Sequence, residues 1–214
     1  MNLKLKVCGM CEADNIIEVA SLQPDYMGFI FYEKSRRFVG SNFSIPYEFP
    51  HAIRRVGVFV NEKVDMILRQ VSKHKLDYVQ LHGSESPEDC KALIERVGVI
   101  KVFSVDHRFD FSSTKPYQSF SDFFLFDTKT ESYGGSGKVF DWNLLKKYDQ
   151  QIPFFLSGGL SPANIGDIKE LKGMNLHAID INSGVEIAPG LKSIEKIKSI
   201  KSILHLNSNY GIHS

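Results

Sequence analysis

A chain of 214 residues, 43% hydrophobic and 24% charged, has enough apolar material for a full core and length for one domain, at most two. A formal net charge of +1 offers no basic surface for nucleic acid or an anionic membrane. No apolar run reaches spanning length, and the start Met1-Asn2-Leu3-Lys4 lacks a signal-type apolar region; three cysteines, an odd count, speak for reduced thiols in a cytoplasmic protein.

Residues 3–8 alternate toward Cys8 and predict the first strand, and 12–22 follow with apolar residues at helical spacing. A second strand is predicted over 26–31. Segment 41–52 contains Pro46 and Pro50, so any helix there is short or broken. Strand 54–60, helix 62–73, strand 78–82, helix 87–97 and strand 99–104 continue the alternation. Segment 107–119, with His107, Pro116 and three aromatics, has weak helical periodicity. Strand 122–127, helix 141–148, strand 153–157, helix 162–172, strand 178–182 and helix 193–202 complete it. Residues 204–214 form a tail without a clear role. Eight units over 214 residues give about 27 residues each, the length of one strand, one helix and two turns. The reading is a single minimal (β/α)8 barrel over 1–203 with short or irregular second and fifth helices; an open doubly wound sheet is the alternative.

In such a barrel the chemistry belongs at the C-terminal ends of the strands. Cys8 ends the first and Asp127 the sixth, so a thiol and a carboxyl share one rim, equipment for moving protons on a small carbon substrate. Taken singly, Cys8 is a small core filler and Asp127 a turn cap. If Cys8 points inward, alternation brings Lys6 with it, either favouring the thiolate or pairing with an interior aspartate. The turns Leu156-Ser157-Gly158-Gly159-Leu160 and Asn182-Ser183-Gly184-Val185-Glu186 follow strands seven and eight, where barrel phosphate sites form. Either alone closes a loop. Together they point to a phosphorylated substrate.

Those motifs, with Lys6-Val7-Cys8-Gly9-Met10, Phe31-Tyr32-Glu33-Lys34-Ser35-Arg36-Arg37-Phe38, Val58-Phe59-Val60-Asn61, Val79-Gln80-Leu81-His82-Gly83, Phe126-Asp127-Thr128-Lys129-Thr130 and Gly134-Gly135-Ser136-Gly137-Lys138, resemble the phosphoribosylanthranilate isomerase family of tryptophan biosynthesis from about residue 3 to 200. The resemblance implies a cofactor-free Amadori rearrangement of a phosphosugar–anthranilate substrate, with Cys8 as general base and Asp127 as general acid. It implies that Arg37, more than its neighbour Arg36, binds the anthranilate carboxylate, and that Asp180 lies near the sugar or the amine. Phosphate falls to Gly158, Gly159, Ser183 and Gly184. His82 ends strand four and either lines the pocket or makes an ordinary polar contact. A monomer is expected, with neither nucleic-acid nor membrane partner.

Two other motifs carry less. Gly134-Gly135-Ser136-Gly137-Lys138-Val139 lacks the first glycine of a P-loop and its Ser/Thr, and reads as a segment able to close over substrate before an N-cap at Asp141. Cys8-Gly9-Met10-Cys11 has redox-pair spacing, but a zinc site lacks its second half. Cys11 departs from the family pattern and adds sensitivity to oxidation.

Overall fold

Eight parallel strands pair in chain order and close on themselves: β1 (Lys4–Val7), β2 (Tyr26–Ile30), β3 (Arg54–Phe59), β4 (Tyr78–Leu81), β5 (Gly98–Val105), β6 (Phe123–Thr128), β7 (Phe154–Ser157) and β8 (Leu176–Ile181). The structure, a computed structural model, describes residues 3–128 and 142–209. The open-sheet alternative is excluded by the β1–β8 pairing, in which Lys6 lies opposite Asp180 and Val7 opposite Ile181. The eight predicted strands are the eight barrel strands, within two residues at their ends.

Period-two alternation divides each strand between two cores. Tyr26, Val56, Ile100, Val102, Leu125, Phe155 and Ala178 fill the barrel interior. Their neighbours Met27, Phe29, Phe103, Phe124, Phe126, Phe154 and Ile179 face outward into the layer beneath the helices. Apolar demand on both faces makes these strands continuous apolar runs, which is why they were legible. At the N-terminal rim, aspartates close free strand amides: Asp25 accepts from Leu5 N, Asp77 from Arg55 N and Asp122 from Val99 N, each at 2.8 Å.

The outer layer is sparser than expected. Among the described residues four α-helices surround the barrel: α1 (Ala13–Ser21), α2 (Val64–His74), α3 (Pro87–Ile94) and α4 (Ile194–Asn209). Helix α3 begins at a capping box between Ser86 and Asp89, with Pro87 in its first turn. Residues 41–52 form turns, and Phe111–Phe120 is a 3₁₀ segment with Pro116 inside it, so the two weak positions are irregular as predicted. The α-helices expected over 141–148 and 162–172 are instead 3₁₀ segments, Trp142–Lys147 and Ile165–Leu171. Apolar periodicity located them without distinguishing the tighter winding; Gly166 and Asn164, whose side chain accepts from Ser161 N, favour a short turn over a long helix. Helix α4 continues beyond the expected end at 202, with Leu204 packed into the core. A small hairpin absent from the sequence reading, β9 (Glu186–Ala188) with β10 (Leu191–Lys192), follows β8 and turns through Gly190 at φ +87°.

Candidate active site

The inward residues at the C-terminal ends of β1, β4, β6, β7 and β8 converge on a cavity of about 210 Å³, lined by Cys8, Gln80, His82, Asp127, Asp180 and the two glycine turns. Larger hollows of about 390 and 650 Å³ lie against the β2–β3 connection. Neither gathers an acid and a base beside glycine turns.

Cys8 follows β1 and is buried beside Gly28 of β2; a Cβ at Gly28 would lie 2.6 Å from its Sγ, so the absence of a side chain there makes room for the thiol. Below it, Lys6 is fully buried and its Nζ donates to Asp180 Oδ2 at 2.8 Å. Burial opposes the ammonium charge, but Asp180 and Cys8 outweigh it and hold Lys6 above its usual value. Both readings of Lys6 hold: it pairs with an interior aspartate, and its charge pulls Cys8 toward the thiolate. Burial is the larger influence on Cys8 and, with Asp180, pushes the thiol up against the pull of Lys6 and Lys192. The resting group is therefore a thiol.

Across the mouth, His82 Nε2 lies 3.4 Å from Asp127 Oδ2, and His82 Nδ1 lies 3.1 Å from Gln80 Nε2. Gln80 Oε1 and Asp180 Oδ1 are buried without a hydrogen-bond partner among the described residues. Both belong to side chains lining the cavity. A ligand bringing donors would satisfy them.

The turns after β7 and β8 touch. Gly158 and Gly159 take φ of +104° and +64°, conformations suited to glycine, and a Cβ at Gly184 would stand 2.0 Å from the Leu160 carbonyl oxygen. Ser157, Gly158, Gly159, Ser183 and Gly184 thus form one continuous wall.

Arg37 is the sequence candidate that does not line the cavity. Its Nε and Nη2 donate to Glu186 Oε1 and Oε2 at 2.7 and 2.6 Å, and its Cδ packs where a Cβ on Gly9 would be. Glu186 also accepts from Lys192 Nζ at 2.7 Å and Gly190 N at 3.0 Å. Burial works against the Glu186 charge, but hydrogen bonds from Arg37, Lys192 and Gly190 bring its carboxyl down to about 2. Sequence reasoning quoted Glu186 without giving it a role and missed Lys192, because the hairpin pairing them was not visible. Cys11 Sγ donates to the Arg37 carbonyl at 3.2 Å, and both CxxC thiols are free. Lys129, Thr130, the Gly134-Gly135-Ser136-Gly137-Lys138 stretch and Asp141 lie outside the described residues.

The chain is similar to known proteins along nearly its whole length. A protein of Parabacteroides distasonis named N-(5'-phosphoribosyl)anthranilate isomerase is 47% identical over 209 residues, covering 94% of this chain and 93% of its own. The crystal structure of the phosphoribosyl anthranilate isomerase from Thermotoga maritima superposes with a TM-score of 0.81 at 36% identity, covering 95% and 98% of the two chains; another structure describes monomers generated from that dimeric enzyme. A phosphoribosyl anthranilate isomerase in complex with reduced 1-(o-carboxyphenylamino)-1-deoxyribulose 5-phosphate gives a TM-score of 0.78 at 32% identity, over 95% and 98%. With the N-(5'phosphoribosyl)anthranilate (PRA) isomerase family matching residues 5–202, the chain belongs to that family, the aldose–ketose isomerases of tryptophan biosynthesis.

Proposed function

We propose that this isomerase works through Cys8 as general base and Asp127 as general acid, on a substrate held by its phosphate at the β7 and β8 turns and by its anthranilate carboxylate at Arg37. Asp127 protonates the ribose ring oxygen, and the furanose opens to an iminium. Cys8 then takes the C2' proton, and the resulting enolamine tautomerises to the 1-deoxyribulose phosphate. No atom is gained or lost, so the proton removed and the proton supplied balance. The observation that carries this reading is the convergence of a buried thiol, a carboxyl and two touching glycine turns on one cavity.

The Cys8 thiol rests protonated, so the base step draws on the thiolate fraction that the Lys6 and Lys192 charges favour, and the rate rises with pH as that fraction grows. Glu186 takes up the Nε/Nη2 edge of the Arg37 guanidinium, leaving Nη1 to meet a carboxylate. Asp180 Oδ1 is an acceptor for the sugar or the amine. His82 supports Asp127, and Gly158, Gly159, Ser183 and Gly184 receive the phosphate.

The protein is read as cytoplasmic and monomeric. Among the described residues no helix is long and apolar enough to cross a membrane. Among the described residues the most exposed large apolar side chains are Tyr47 at 99%, ahead of β3, and Ile187 at 71%, after β8. Sedimentation at a dimer's mass would overturn the monomer. The function is tested by following the loss of anthranilate-type fluorescence as phosphoribosylanthranilate is consumed. A folded protein that leaves that fluorescence unchanged overturns the reading.

A further inference from the structure

Gln80 faces the barrel interior from β4 and is 1% exposed, an uncommon place for a carboxamide. Its two ends do different things. Nε2 lies 3.1 Å from His82 Nδ1, and Oε1 has no partner among the described residues although the side chain lines the active-site cavity. An amide nitrogen only donates, so the Nδ1 it faces accepts, and the single proton of a neutral imidazole then sits on Nε2. That nitrogen is the one 3.4 Å from Asp127 Oδ2. Turning the amide over would place its carbonyl against Nδ1, draw the ring proton there, and leave the Nε2 lone pair against a carboxylate oxygen. The arrangement with matched donors and acceptors is the first.

Oε1 states what the other end requires. A carbonyl oxygen repels the phosphate and the anthranilate carboxylate, both acceptors, and is matched by a ligand O–H or N–H. β4 stands across the barrel from β8, whose hairpin holds Arg37 through Glu186, so the aryl amine lies on the far side. The sugar hydroxyls are the donors left to face Gln80.

We propose that Gln80 is a positioning residue of this site: its Nε2 fixes His82 in the Nε2–H tautomer that supports Asp127 after the acid has given up its proton, and its Oε1 accepts a hydrogen bond from a sugar hydroxyl of the substrate. The second half rests on the function proposed above; the first does not. Gln80 touches the acid only through the imidazole, so substrate binding and the state of the acid are joined by one side chain.

The test combines ¹⁵N NMR of the histidine rings with steady-state kinetics on wild type, Gln80→Met and Gln80→Glu, with circular dichroism to confirm folding. Wild-type His82, assigned by its loss in His82→Asn, shows Nδ1 bare and Nε2 protonated without substrate. Gln80→Met gives an average of both tautomers, a kcat lower by about tenfold and a raised KM. Gln80→Glu presents an acceptor to Nδ1 and moves the proton there, while keeping an oxygen for the hydroxyl, so kcat falls and KM stays near wild type. The same His82 tautomer in all three proteins, or kinetic constants of Gln80→Met within twofold of wild type, overturns the proposal. Failure of wild type to turn over phosphoribosylanthranilate sinks the proposed function instead, while the ring signals still decide the tautomer.

Discussion

Replacing Gly28 by alanine tests the placement of the base without touching a polar group. The added methyl would lie 2.6 Å from Cys8 Sγ and 3.2 Å from Cys8 Cα, where ordinary contact needs 3.4 Å or more. The thiol must therefore retreat by about 1 Å, because Gly28 sits in a strand paired on both sides and cannot yield as a loop would. A displacement of that size at a reacting atom costs on the order of 100-fold in turnover. Overpacking of this kind also destabilises by about 1–3 kcal/mol, several degrees in Tm for a chain of this length. The fluorescence assay and a thermal melt read both effects. Adding Cys8→Ala to Gly28→Ala removes the tightest contact, so stability returns in part while activity stays lost. A Gly28→Ala protein with wild-type kcat and Tm would refute the position given to the base.

Cys8→Ser and Asp127→Asn are each expected to lower turnover about 100-fold or more with little change in far-UV circular dichroism, since each removes proton-transfer capacity at nearly constant volume; near-wild-type rates would remove that residue from its role. Arg37→Ala should raise KM far more than it lowers kcat, and Glu186→Gln should do the same more weakly by loosening the Arg37 fork; equal loss in kcat from both would contradict a binding role. Gly184→Ala should weaken binding of the phosphorylated product more than Gly159→Ala, because its methyl meets the Leu160 carbonyl at 2.0 Å whereas Gly159 opens onto free space and carries only the strain of φ +64°, about 1 kcal/mol; the reverse order in titration calorimetry would misplace the phosphate. Glu186 is lowered in the folded state to about 2 against an unfolded value of about 4.3, so its stabilisation is complete above pH 4.3 and is lost as pH falls toward 2. Discounted for partial solvent access, this amounts to about 1–2 kcal/mol, and denaturant titrations across that window should be flatter for Glu186→Gln.

The barrel was legible because β2 through β8 bury both faces, and runs such as Phe123-Phe124-Leu125-Phe126 mark such strands with little ambiguity. That Cys8, Asp127 and the glycine turns share one rim was legible from their places at strand ends. Gln80 was not given a role, because a glutamine in a strand reads the same facing water or facing the barrel, and only its burial beside His82 distinguishes the two. The hairpin that pairs Glu186 with Lys192 was invisible for a different reason. Strands of three and two residues are too short to show alternation, and the ion pairs that justify them join residues whose neighbourhood only the closed barrel defines. Gly28 became meaningful once the β1–β2 register set Tyr26 beside Lys6.

The pair Lys6–Asp180 joins the first and last strands of the barrel, 174 residues apart in sequence. Until β8 pairs, one edge of β1 is open and the Lys6 charge, facing the barrel interior, has no carboxylate partner, so the interior there stays wet. Arrival of Asp180 gives that charge its partner and allows it to be buried. The same event brings Asn182, Ser183 and Gly184 to the site beside Cys8. Catalytic activity is therefore expected to appear only with ring closure, so in a translation mixture it reports closed barrels rather than accumulated polypeptide.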